Sequence, residues 1–171
     1  MKTQLMIQST PNPNALKFVL NTPVKTNGNW TYKSAKECAT NPLAGAIFAL
    51  DPHVKEVYFF DNYITVTQDG DVDWEGLEGK IQKTILEKIG SHNPDFATPE
   101  PEKKAVPAGN DSPEMAQINE ILDQTVRPAL QMDGGDIELV DYKDNVLRVF
   151  YQGACGSCPS ATMGTLKAIE N

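Results

Sequence analysis

The segment from Gly90 to Asp111 constrains the fold most, because it divides the chain into two parts. It reads GSHNPDFATPEPEKKAVPAGND and combines four prolines with acidic residues and lysines, with almost no apolar periodicity. Such a segment predicts an extended, semi-stiff tether. A single packed domain rarely contains a structureless loop of this length. The sequence therefore predicts an N-terminal domain at residues 1–90, a flexible linker at 91–111 and a C-terminal domain at 112–171.

The N-terminal part alternates strand and helix patterns. Four β-branched or aromatic runs, LMIQS, ALKFVLN, VKEVYFF and YITVTQ, predict strands, and Asp61-Asn62 predicts a hairpin turn between the last two. Asn41 predicts a helix cap, with Pro42 in the first turn of the apolar helix LAGAIFAL. A second, amphipathic helix is indicated by apolar residues every three or four positions: Trp74, Leu77, Ile81, Ile85 and Ile89.

The C-terminal part predicts a helix, a hairpin and a second helix. Ser112 is a candidate cap before Pro113, and one apolar helical face follows from Met115 to Ala129, with Pro128 expected to kink or end that helix. MDGGD predicts a sharp turn, IELVDY and VLRVFY predict paired strands, and a helix is expected from about Pro159. The predicted fold class is α+β, as two small sandwich-like domains of sheet and helices.

Two of the three cysteines, Cys155 and Cys158, stand in GACGSCPS between the last predicted strand and the last predicted helix. Free N–H groups and the positive end of a helix dipole favour thiolate over thiol there. A glycine-flanked loop makes a poor core, which disfavours a buried structural pair. A thioredoxin-like dithiol, a zinc ion shared across a dimer and a bridging iron–sulfur cluster remain open.

The cysteine count limits these alternatives, since three cysteines cannot supply four thiolates from one chain. Cys38 lies in the other domain and is expected to be an inert thiol. His53 and His92 are expected to be surface residues. The simplest completion is a second chain related by a two-fold axis, so the sequence predicts a homodimer in which each protomer contributes Cys155 and Cys158.

Composition excludes several kinds of partner. The formal net charge is −8, from 23 acidic and 15 basic side chains, which disfavours binding to nucleic acid. No apolar run is long enough to cross a bilayer, so no membrane partner is expected. The start, MKTQLMIQST, has the pattern of neither a secretory signal nor an organelle presequence, so a cytoplasmic, reducing location is expected.

Several of these stretches resemble one family. VRPALQMDGGDIELV and GACGSCPSATMGTLK resemble the C-terminal domain of NifU/Nfu iron–sulfur scaffold proteins, and STPNPNALKF, NPLAGAIFAL and VYFFDNYITVT resemble the Nfu N-terminal domain. The resemblance implies a [4Fe–4S] cluster held between two protomers by Cys155 and Cys158. Upstream assembly machinery would supply that cluster and recipient apoproteins would receive it. Whether a [2Fe–2S] form precedes it stays open.

The resemblance also implies a carrier rather than an enzyme, because such a protein needs no general base, nucleophile or substrate pocket. Two alternatives stand beside it: a thiol–disulfide oxidoreductase with Cys155 attacking and Cys158 resolving, and a zinc-bridged structural dimer. Members of the family continue past the final helix with a further strand, whereas this sequence stops at Asn171. The resemblance therefore implies either a truncated chain or a C-terminal domain without that strand.

Overall fold

The computed structural model describes residues 2–96, 113–144 and 146–154. Residues up to Phe96 form an N-terminal unit with one sheet and two helices. The strands are β1 (Leu5–Ser9), β2 (Ala15–Leu20), β3 (Asn29–Tyr32), β4 (Val54–Phe60) and β5 (Tyr63–Gln68). The helices are α1 (Pro42–Leu50) and α2 (Trp74–Lys88), with short 3-10 turns at Ala35–Cys38 and Ile89–Ser91.

The five strands form an antiparallel sheet in the order β1-β2-β5-β4-β3. Because side chains alternate along a strand, each strand offers one row to each face of the sheet. Phe18, Phe59 and Ile64 belong to the apolar row, which forms the main core with the buried residues of both helices. Lys17 and Thr65 belong to the other row, and the C-terminal unit covers them.

The predicted elements of this unit are confirmed, with one addition. The side chain of Asn41 accepts a hydrogen bond of 3.2 Å from the N–H of Ala44, and Pro42 opens α1. Strand β3 was not predicted, because NWTY is short and lies at the edge of the sheet, where the alternation of burial is weak.

The packed part of the N-terminal unit reaches beyond residue 90. Phe96 is buried in the main core, with its ring centroid 5.5 Å from that of Phe59. His92 stacks on Phe59 at 5.7 Å, and its Nε2 lies 2.8 Å from the carbonyl oxygen of Val24. The prediction of a surface His92 is therefore wrong, because a local reading of the Pro-rich segment does not register the aromatic residues that this histidine packs on. Residues 97–112, the rest of the predicted linker, lie outside the described residues.

The C-terminal unit contains two helices, α3 (Pro113–Thr125) and α4 (Arg127–Met132), and a hairpin of β6 (Gly135–Lys143) and β7 (Val146–Gly153). Pro128 stands in the first turn of α4, where a missing N–H is tolerated, so the interruption expected at this proline divides the predicted helical face into two helices. Asp144, with φ of 53°, lies in the hairpin connection. The predicted Ser112 cap and the predicted helix from Pro159 lie outside the described residues.

The small core of this unit contains Leu130 and Ile137, with Val126, Val149 and Tyr151 packed against them. The α+β class predicted from the sequence is confirmed for both units. Within the described ranges, every helix is too short or too polar to span a lipid bilayer.

Candidate functional site

The predicted ligands Cys155 and Cys158 lie outside the described residues, which end at Ala154. The described residues that lie closest to these cysteines along the chain are those around Ala154, which directly precedes Cys155. Ala154 is only 2% exposed, and it follows the glycine that ends β7. The residues around it come from both units.

Two glycines fasten the open end of the hairpin. Gly134 follows α4 with φ of 83°, and its N–H donates to the carbonyl of Gln131 at 3.1 Å, which closes the helix end. Gly153 has φ of 63°, and a Cβ there would lie 2.6 Å from the carbonyl oxygen of Gly134. The N–H of Ala154 donates to that same oxygen at 3.2 Å. The backbone beside the cysteine segment is thus tied to the MDGGD turn, and glycine is required at both positions.

Two side chains of the N-terminal unit bind this backbone directly. The hydroxyl of Thr65 donates to the carbonyl oxygen of Gly134 at 2.8 Å. The side-chain amide of Asn12 donates to the carbonyl oxygen of Ala154 at 3.0 Å, while its Oδ1 accepts from the N–H of Asn14 at 3.0 Å. Asn12 and Thr65 are both buried. The first unit therefore contributes to the surroundings of the cysteine segment.

Lys17 makes a third contact between the units. Its Nζ donates to the carbonyl oxygens of Gln131 at 3.1 Å and Met132 at 3.3 Å, and it lies 4.2 Å from the centroid of the Tyr63 ring. These carbonyls are at the C-terminus of α4, where a cation is favourable. Burial lowers the pKa of Lys17, which is 9% exposed, and the charge of Asp133 opposes that shift.

The second aspartate of the MDGGD turn is buried and is bound by residues of both units. Asp136 is 5% exposed and accepts from the backbone N–H of Ile137 at 2.7 Å. Its Oδ2 accepts from the side-chain amide of Asn29 at 3.1 Å, and Arg127 Nε lies 3.4 Å from Oδ1, the oxygen that Ile137 also binds. Arg127 also pairs with Asp123. A buried charge needs such partners, so Arg127 and Asn29 stabilise the start of β6.

Cys38 is a buried free thiol, 6% exposed, and its Sγ donates to the carbonyl of Ser34 at 3.4 Å. Burial, and secondarily the charge of Glu37, raises the pKa of Cys38 to about 11. The thiol is therefore protonated at neutral pH and a poor nucleophile or ligand. This agrees with the prediction of an inert Cys38.

His53 is partly exposed and joins Asp69 and Asp71 in a group whose ligand-type atoms lie within 4.8 Å of one another. His53 Nδ1 lies 2.9 Å from Asp69, and the ammonium of Lys55 lies 3.5 Å from the same carboxylate. The hydrogen bond to Asp69 raises the pKa of His53. A lysine already neutralises this carboxylate, so the group is a surface ion-pair network.

Three residues beside the cysteine segment were not predicted from the sequence: Asn12, Lys17 and Thr65. A signal for two of them existed, because Lys17 interrupts the apolar strand ALKFVL and Asn12 stands in the turn TPNPN. That signal indicates a special position in each case. It does not indicate the partner, which lies more than a hundred residues away for Asn12 and Lys17.

Both halves of the chain match family descriptions. Residues 5–92 match "Scaffold protein Nfu/NifU N terminal", and residues 118–171, which include Cys155 and Cys158, match "NifU-like domain". The chain therefore belongs to the Nfu/NifU scaffold protein family, and the resemblance noted in the sequence is confirmed.

Named relatives extend over nearly the whole chain. It is 34% identical over 171 residues to "NifU-like protein 5, mitochondrial" of Arabidopsis thaliana, covering 98% of this chain and 62% of that protein. It is 33% identical over 168 residues to the human "NFU1 iron-sulfur cluster scaffold homolog, mitochondrial", covering 98% of this chain and 65% of that protein. The chain thus spans less than two thirds of the length of these relatives.

The expectation of a cytoplasmic location is contradicted, because these relatives are mitochondrial by name. The physical reason is that the folded domains carry no local signal of their compartment. Targeting segments are separate from the fold and are removed or read independently of it.

One solved structure supports the fold. The solution NMR structure of a NifU-like protein from Saccharomyces cerevisiae superposes with a TM-score of 0.50 at 25% identity, covering 57% of this chain and 86% of that one. This likeness agrees with the mixed arrangement of helices and strands described above.

Proposed function

We propose that this chain is a scaffold or carrier for iron–sulfur clusters, with a [4Fe–4S] cluster as its cargo. Two copies of the chain hold the cluster between them, each through the thiolates of Cys155 and Cys158. The cluster is received from assembly machinery and passed to recipient apoproteins. The role is delivery, and no substrate turnover is part of it.

One observation supports this proposal most strongly: the match to the NifU-like domain includes both cysteines of the pair. Relatives that align with 98% of the chain carry the name of iron–sulfur cluster scaffolds. The state of Cys38 adds an independent argument. Its burial and its pKa of about 11 remove it as a ligand, so each chain has two cysteines available. Four thiolates, the usual set for such clusters, then require two chains.

Transfer is a ligand exchange in which no electrons change hands. A thiolate of the recipient forms a bond to iron as the bond from Cys155 or Cys158 breaks, and the released cysteine leaves as a thiolate that can take up a proton. Repeating the exchange at each iron moves the intact cluster. A more buried site in the recipient gives the exchange its direction.

The experiment is anaerobic reconstitution of the purified chain with iron(II) and sulfide. We expect a brown species absorbing at about 400 nm, with the mass of a dimer. Cys155→Ser and Cys158→Ser should each abolish it, because either change removes two of the four ligands in the dimer. Iron, sulfide and zinc are measured on the same samples.

Cys38→Ala serves as the matched control and should load as the unaltered chain does. Equal loss in all three variants would show that the ligands are wrongly assigned. A colourless protein with zinc shared by two chains would replace the proposal with a structural dimer. Turnover of a disulfide substrate by a metal-free monomer would replace it with an oxidoreductase.

A further inference from the structure

We propose that Asn12 is a positioning residue for Cys155, so that the N-terminal unit forms part of the cluster site. The inference rests on the function proposed above and deepens it. It starts from the turn TPNPN, which the proposed function leaves without a role.

The side-chain amide of Asn12 presents a donor to a backbone acceptor of the C-terminal unit. It is buried, and its Oδ1 is occupied by the N–H of Asn14 at 3.0 Å. The backbone N–H of Asn12 in turn donates to the hydroxyl of Thr10 at 3.2 Å. These bonds fix the side chain with its Nδ2 aimed at the carbonyl of Ala154, 3.0 Å away.

That carbonyl belongs to the peptide group that leads to Cys155. Because a peptide group is planar, holding its oxygen restricts rotation of the whole group. The N–H of Ala154 is held at the same time by the carbonyl of Gly134, which Thr65 also binds. Both ends of Ala154 are therefore held by hydrogen bonds, and Asn12 binds the end that leads to Cys155.

A restrained attachment lowers the entropy that Cys155 loses when it binds iron. Removing the donor also leaves the buried carbonyl oxygen of Ala154 without this hydrogen bond, which disfavours the contact between the two units at this point. Asn12 thus makes the bound state of the cargo last longer by restraining the peptide group that leads to Cys155. Loss of Asn12 should act on the rate of cluster release more than on the final amount loaded.

The variant that isolates the donor is Asn12→Asp, which keeps an oxygen for the N–H of Asn14 and replaces only the Nδ2 group. Asn12→Ala removes both functions without adding charge. Asn14→Asp is the matched control, since it adds the same charge two positions along the same turn, where the side chain lies beside Gly70. All measurements use the full chain.

The first measurement is the rate at which an iron chelator bleaches the reconstituted protein. We expect release about five- to tenfold faster for Asn12→Asp and Asn12→Ala, the range given by loss of one buried hydrogen bond, and an unchanged rate for Asn14→Asp. Rates for both Asn12 variants within about twofold of the unaltered chain overturn the proposal.

The second measurement separates positioning from loss of structure. Alkylation of the cluster-free chain at neutral pH is followed by mass spectrometry of peptides, with Cys38 as the buried reference. We expect faster alkylation of Cys155 in Asn12→Ala than in the unaltered chain or in Asn14→Asp, because loss of the hydrogen bond to Ala154 removes the restraint on the peptide group that leads to Cys155. An unchanged rate for Cys155 in Asn12→Ala overturns the positioning role. Cys38 should stay slow. Acceleration of Cys38 in step with Cys155 would mean general unfolding and overturn the assignment.

The same experiment distinguishes failure of the two proposals. An unaltered chain that takes up no iron and sulfide overturns the proposed function. The alkylation rates then decide the positioning role alone, since they need no cluster.

Discussion

The N-terminal unit and the described part of the C-terminal unit differ in how much apolar surface they bury. The first has a large core between a five-stranded sheet and two helices, with Phe18, Phe59 and Ile64 fully buried. The described part of the second has a core of Leu130 and Ile137 with three partly buried neighbours. Its exposed apolar side chains include Met132 at 78%, together with Ile121, Val140, Val146 and Phe150.

This difference indicates how the stability is distributed. A two-stranded hairpin is marginal alone, so the described C-terminal unit depends on what it packs against. The contacts to the first unit described above are hydrogen bonds to backbone carbonyl oxygens. Lys17 donates to the C-terminal end of α4, Thr65 donates to Gly134 and Asn12 donates to Ala154. The well-packed unit thus serves as a rigid platform, and the sparsely packed one carries the proposed chemistry.

The largest effect on stability should come from a change in the main core of the N-terminal unit. Phe59→Ala should lower the free energy of unfolding of the N-terminal unit by about 3–5 kcal/mol, because Phe59 is fully buried among Tyr32, His92 and Phe96. Trp30 and Trp74, the two tryptophans of the chain, both belong to this unit. Their fluorescence during urea unfolding measures the change.

The matched change in the other unit is Ile137→Ala. We expect the free energy of unfolding to fall by about 2 kcal/mol, at the low end for such truncations, because few buried residues among those described surround Ile137. The tryptophan transition should stay in place while hydrogen exchange in β6 and β7 accelerates. If both variants shift the tryptophan transition equally, the two units unfold as one and the contrast between them is wrong.

A smaller effect should follow from breaking the contact between the units. Gly134→Ala places a Cβ 2.9 Å from the hydroxyl oxygen of Thr65, at a φ of 83°. We expect the free energy of unfolding to fall by about 1–2 kcal/mol because of the backbone strain alone. The clash with Thr65 should in addition weaken the contact between the two units. Hydrogen exchange of the Ala154 amide reports that weakening.

The control is Gly28→Ala, where φ is 66° and the added Cβ meets open space. It carries similar backbone strain without a neighbour. Faster exchange at Ala154 in Gly134→Ala but not in Gly28→Ala supports the docking role of this turn. Equal exchange in the two variants would contradict it.

The smallest effect concerns pH, and the two histidines should act with opposite sign. Burial lowers the pKa of His92, so its stabilising contribution is present above about pH 6.5 and is lost as the pH falls through the folded-state pKa. The hydrogen bond to Asp69 raises the pKa of His53, so its contribution is present below about pH 6.5 and is lost as the pH rises through the folded-state pKa.

Tm values at about pH 5.5 and about pH 8 measure both contributions. His92→Gln should reduce the loss of Tm at the lower pH, and His53→Gln should reduce the gain that the ion pair gives there. The change from His53 should be slight, because the pair is exposed to solvent. A His92→Gln variant with the full acid sensitivity of the unaltered chain would show that His92 is not the titrating group.

Most of the secondary structure followed from local pattern. The periodicity of apolar residues located α2, the alternation and β-branched runs located β2, β4 and β5, and Asn41-Pro42 located the start of α1. Local pattern failed at β3, an edge strand of four residues. The interruption expected at Pro128 is observed, because α3 ends at Thr125 and α4 begins at Arg127. The cysteine pair followed from spacing, and its role as cluster ligand stays a proposal.

The sequence by itself determined the two units, their α+β class and the two thiols available for chemistry, because each of these is written in residues close together along the chain. Only the tertiary structure decided that Asn12, Lys17 and Thr65 meet the turn and strand end beside Cys155. Those contacts join residues 69 to 142 positions apart. A local pattern records that a position is buried or polar, and it holds no information on which distant backbone group that position will bind.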